Sequence, residues 1–186
     1  MPGAGVPKPR RSALARLAPA EAAAILTQLL KSHPELRAEA ERLAGAMLDE
    51  VSAGDVAVEV EGDLRALDID DLNDRAGPRH GGDTDPADAA DELLEEALDP
   101  YVGDLRRRLA TGRDGAAMET LRGILAGLYV ARHPDGDEGG VLGWAPDFPR
   151  TAAAEVAGIW RQSGRDLPVE VLSEVAPDWA VGIARG

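Results

Sequence analysis

The sequence predicts an all-α protein, an irregular multi-helix bundle of about six to eight helices built from antiparallel helical hairpins. Three observations predict it. Apolar residues recur at helical spacing along most of the 186-residue chain. Aromatic residues are only 3% of it. Leu and Ala must therefore fill the core, and they suit close helix–helix packing better than a β-sandwich. Finally, Pro, Gly, Ser and Asp stand where helices should begin and end.

Residues 1–18 read as a flexible basic N-terminal arm, with Lys8, Arg10, Arg11 and Arg16 and no acid. Residues 19–186 read as a single helical domain. Its first helix opens near Pro19, with Ala22, Ile25, Leu26, Leu29 and Leu30 on one face. Ser32-His33-Pro34-Glu35 has the spacing of a capping box. A second helix then turns Leu36, Ala40, Leu43, Met47 and Val51 inward. The segment Val56-Ala57-Val58-Glu59-Val60 reads either way. Alternating valines fit a strand, whereas Ala57, Val60, Leu64 and Leu67 continue a helical face behind an Asp55 cap. A lone strand would lack a partner, which favours helix. Ile69 and Leu72 extend this region as a short helix ending at Gly77.

The Gly- and Pro-rich stretch 77–86 predicts an internal loop. Asp85-Pro86 opens a strong helix that keeps phase from Ala90 to Leu109; Asp99-Pro100 either kinks it or starts another. The next helix runs from about Arg113 to Arg132, with Met118, Leu121, Leu125 and Leu128 on its stripe. Each helical Gly costs about 1 kcal/mol relative to Ala. Gly123 and Gly127 therefore predict a neighbouring helix in close approach. A loop over 136–143 follows. Thr151 is expected to cap a helix of Ala152, Val156, Ile159 and Trp160, and Gly164 to end it. In the tail, 165–186, the pattern supports one short helix at 168–175.

The net charge is −14. Beyond the arm, 16 Lys/Arg face 34 Asp/Glu. Such a body repels phosphate, which argues against nucleic acid as its partner. No apolar run is long enough to cross a membrane, and the basic N-terminus lacks the apolar core of a secretory signal. With no cysteine, disulfides and thiolate zinc sites are excluded. A cytoplasmic location is the expectation.

No catalytic, cofactor or metal residues are assigned. His33, His80 and His133 lack any paired-ligand spacing. Asp68-Ile69-Asp70-Asp71-Leu72-Asn73-Asp74 places Leu72 where a calcium loop needs oxygen and lacks its Gly, and the stretch from Asp135 ends on Pro146 instead of the closing Glu. Asp88, Asp91 and Glu95 share one side of a helix but have no Glu-x-x-His companion, and read as a solvated face.

One stretch departs from helical monotony: Val141-Leu142-Gly143-Trp144-Ala145-Pro146-Asp147-Phe148-Pro149. It holds two of the six aromatic residues and two prolines. Leu142, Trp144, Asp147 and Phe148 are the candidate partner-binding residues. Two readings stand: a plug anchored on the bundle, or a loop that offers Trp and Phe as anchors to another protein.

Four blocks together resemble an uncharacterised group of bacterial all-helical proteins: His33-Pro34-Glu35-Leu36-Arg37, the run Ala66 to Leu72, the run Glu92 to Leu98, and Leu142 to Pro149. The resemblance spans about residues 20–160, its last block being the specific one, and implies a single helical unit without supplying any activity. The expected function is a non-enzymatic interaction or scaffold protein that holds a protein partner, a homodimer being one form. An acidic inhibitor or immunity-like regulator of a basic partner stays open, as does an enzyme with an unrecognised carboxylate or metal site.

Overall fold

The computed structural model describes residues 13–79, 82–132 and 140–185. These are overwhelmingly helical. The α-helices are α1 (Pro19–Ser32), α2 (Arg37–Asp49), α3 (Ala53–Arg65), α4 (Ile69–Arg75), α5 (Pro86–Ala110), α6 (Asp114–Ala131), α7 (Phe148–Gln162), α8 (Val169–Val175) and α9 (Ala180–Arg185). Short 3-10 turns occupy Ala13–Arg16, Pro34–Leu36 and Gly140–Gly143. No helix among the described residues is long and apolar enough to cross a membrane. The expected flexible arm lies largely outside the described residues, as do His80 and His133.

The chain divides into two compact units, Met1–Met47 and Leu48–Gly186. In the first, Ala18 N donates to Glu21 Oε2 at 2.9 Å and so satisfies one free donor at the start of α1. The capping box expected at Ser32 does not form. Ser32 is the last residue of α1, and Glu35 turns back to His33 Nδ1 at 3.0 Å. The two apolar stripes expected to face inward also differ from expectation. Ile25, Leu26, Leu29, Leu36, Leu43 and Met47 are each 40–74% exposed. Periodicity specifies which face is apolar and leaves open what covers it, and a unit this small closes no core of its own.

In Leu48–Gly186 the ambiguous valine segment is helical, as α3. Its cap is Ser52, whose Oγ accepts from Asp55 N, and not Asp55 as the spacing suggested. The serine stands at the last extended position, with β-region φ and ψ, where a cap belongs. Asp68 caps α4 by accepting from Asp70 N at 2.9 Å, so the acidic run 68–74 serves a helix start. Within the expected loop 77–86, Gly77–Arg79 and Gly82–Thr84 pair as two short antiparallel strands. Asp85 then caps α5 through Ala87 N at 2.8 Å. α5 continues through Pro100 for 25 residues without a new start.

α6 crosses α3 at the centre of this unit. A Cβ on Gly123 would fall 2.5 Å from Val56 Cβ, and one on Gly127 would fall 2.7 Å from Ala57 O. The small-residue face predicted from sequence thus has α3 as its neighbour. Leu94 and Leu105 of α5, Leu121, Ile124, Leu125 and Leu128 of α6, Val156 of α7 and Leu172 of α8 complete a Leu-rich core. The tail joins it. Trp179 is buried and packs edge-on against Tyr129 at 5.1 Å between ring centres, and Tyr129 Oη donates to Asp178 at 2.6 Å.

Candidate functional site

The segment before α7 is a chain of tight turns. Gly140 takes φ +50°, a conformation suited to glycine. Trp144 N then donates to Val141 O, Ala145 N to Leu142 O and Phe148 N to Ala145 O, at 3.0, 3.3 and 3.0 Å. These turns bury some side chains and leave a neighbour exposed. Val141, Leu142, Ala145 and Phe148 are buried, whereas Trp144 is 51% exposed.

α7 begins at Phe148, four residues earlier than a Thr151 cap implies. Pro149 explains the shift: its ring presets helical φ, and it occupies the first turn, where no N–H is needed. Thr151 is a helical residue whose N–H donates to Asp147 O at 3.1 Å. Asp147 takes the cap position without using its side chain there, and its carboxylate remains at the surface.

Trp144, Asp147 and Phe148 border a groove of about 490 Å³ between α5 and α7. Its floor is apolar and largely buried: Leu98 and Val102 from α5, then Ala145, Phe148, Ala152 and Val156, with Ile159 half-buried farther along α7. Its rim is acidic. Asp91, Glu95 and Asp99 line it from α5, Glu155 from α7 and Asp147 from the cap position before α7, and Arg106 of α5 adds one cation. Leu142 is buried in the core behind the turn and does not line the groove.

The helical repeat divides the acids of α5 between two jobs. Glu92 and Glu96 hold Arg75 of α4, with Glu96 accepting two hydrogen bonds at 2.8 and 2.9 Å. The Arg75 guanidinium pulls the Glu96 carboxyl below its ordinary range. Asp91 and Glu95, one residue earlier in each case, point about 100° away around the helix axis. They line the groove together with Asp99. Sequence reasoning placed Asp91 and Glu95 on a solvated face. It missed that Asp99 and Glu155 join them around an apolar floor. The available signal was the spacing of four from Asp91 to Glu95 to Asp99.

No protein-family model, curated protein or solved structure matches the chain.

Proposed function

We propose that this chain is a non-enzymatic interaction protein of the cytoplasm, which uses Trp144 and the groove beside it to hold another protein. One observation carries the reading: Trp144 is half-exposed at the lip of a groove whose floor is already apolar and built. A large aromatic side chain left in water beside such a floor gains by being covered, and Trp is the residue type most often found as an interface anchor. The rigid support of Trp144 by consecutive turns favours the same reading, because a preorganised anchor loses little freedom on binding. The acidic body makes nucleic acid a poor partner.

Affinity capture from the native host with wild-type and Trp144→Ala chains, at low and at high salt, tests the proposal. The expected result is a protein retained by the wild type at both salts and lost on Trp144→Ala. Retention of nothing, together with turnover of a metabolite by the purified chain with added Mg²⁺ or Mn²⁺, would contradict it.

A further inference from the structure

The carboxylates on the groove rim lack cations of their own. Among the described residues, no hydrogen bond or ion pair engages the side chains of Asp91, Glu95, Asp99, Asp147 or Glu155. This is not for want of arginine. Arg65, Arg75, Arg108, Arg113, Arg122 and Arg165 each reach a carboxylate elsewhere in the same unit. The fold pairs some acids where they support α4, α6 and α8. It leaves those around the groove unmatched, as it does isolated exposed acids such as Glu50, Asp88 and Glu170. What sets the groove apart is that its unmatched acids gather around an apolar floor.

The unmatched arrangement has a cost. Asp91, Glu95 and Asp99 repeat at intervals of four, the spacing at which like charges repel along a helix. Glu155 and Asp147 add two more negative charges on the facing wall, against the one guanidinium, that of Arg106, among the described lining residues. An occupant without charge would cover the floor but strip water from these carboxylates with nothing in exchange. An anionic one would be repelled. A purely cationic one would satisfy the rim and leave Trp144 and the floor wet.

We infer that the groove's occupant is a cationic, amphipathic segment of the partner protein, with bulky apolar side chains laid on the floor and Arg or Lys reaching the rim. This rests on the reading of the groove as a partner site and adds the partner's chemistry. The lining of α5 from Ala87 to Arg106 covers roughly 28 Å, the length of roughly five helical turns. An amphipathic helix of that length presents one apolar stripe flanked by two charged ones, which matches a floor between two acidic walls.

Three synthetic peptides of about 18 residues test this on the full chain. One carries Leu at helical spacing flanked by Arg, one has every Arg replaced by Gln, and one has every Leu replaced by Ser. Trp144 emission is the readout, because Trp160 and Trp179 are buried. The expected result is a blue shift and saturable binding with the Leu/Arg peptide, weakened about tenfold between about 0.02 and about 0.5 M salt. The other two peptides should bind at least about tenfold more weakly. The variant D91N/E95Q/D99N should lose binding to the same extent. The variant E41Q/E50Q/E170Q, which removes the same charge at exposed positions outside the groove, should not.

Equal binding of the Leu/Gln peptide would overturn the cationic assignment while leaving the groove a partner site. Equal binding of the Ser/Arg peptide, or equal loss in both triple variants, would reduce the effect to net charge and overturn it. A salt-sensitive dimer of the chain alone that D91N/E95Q/D99N dissolves would give the groove to a second copy, and so would also overturn it. So would tenfold tighter peptide binding after Lys8, Arg10 and Arg11 are changed to Gln, which would give the groove to the chain's own arm. If no peptide binds while the host partner is still captured through Trp144, the inference fails and the proposed function stands.

Discussion

Trp144 and Phe148 are four residues apart and line one groove, Phe148 7% exposed in its floor and Trp144 51% exposed on its lip. The same turns bury one ring and leave the other half in water, so the two substitutions should differ in their cost to stability. Phe148→Ala removes a buried ring and should cost about 3–5 kcal/mol of stability. Trp144→Ala should cost less than about 1 kcal/mol, because half of its surface is already in water. Urea unfolding of both variants checks the contrast.

Gly127 and Gly103 are both helical glycines and should respond to Ala in opposite directions. At Gly127 a methyl group would meet Ala57 O and Val60 Cβ at 2.7 and 2.8 Å, with backbone among the atoms in the way. Overpacking there should cost about 1–3 kcal/mol and outweigh the propensity gain. At Gly103 nothing lies within 4 Å. Gly103→Ala should therefore stabilise α5 by about 0.5–1 kcal/mol. Thermal unfolding of the two variants gives the signs directly.

The groove carboxylates predict a gain in stability on neutralisation. Glu95 lies between Asp91 and Asp99 on one helix face, so Glu95→Gln relieves two like-charge contacts. The variant should be more stable by about 0.3–1 kcal/mol at low salt, the difference shrinking as salt rises. A loss of stability would mean that these acids hold the fold together.

Both tyrosines should resist ionisation. Burial raises the Tyr101 phenol far above its ordinary value, helped by its hydrogen bond to Asp63 at 2.6 Å and by the charges of Asp63 and Glu59. For Tyr129 the bond to Asp178 is the first cause, and burial the second. A folded-state pKa raised above the unfolded value stabilises fully below the unfolded pKa, about 10. That contribution is lost as pH climbs toward the folded value. Ultraviolet titration of the native chain should therefore show less phenolate at about pH 10 than the unfolded chain, which is half-ionised there. Half-ionisation of the native chain at that pH would contradict both hydrogen bonds.

The helical face of each segment was legible in the sequence, and the neighbour of each face much less so. Val60 and Leu64 fell into helical phase, and the pair Gly123 and Gly127 announced a close crossing, because both signals are local. That α3 fills the crossing depends on residues about 67 positions away. The same limit explains the stripes of α1 and α2, where Ile25, Leu29 and Leu43 are apolar at the right spacing and still exposed. The groove was the least legible feature. Glu92 and Glu96 find their cation in Arg75, which α4 supplies across the internal hairpin, and not within α5. Pro149 offered a local signal for an earlier start of α7, outcompeted in the reading by the more familiar Thr cap.

The most direct test of the central claim is calorimetric titration of the captured partner into the wild-type and Trp144→Ala chains under one buffer. A half-exposed anchor at the lip of a ready-made groove predicts an affinity loss of at least about thirtyfold, equivalent to about 2 kcal/mol or more, with the fold intact. Equal affinity for the two chains would contradict the account and move the partner site away from this groove.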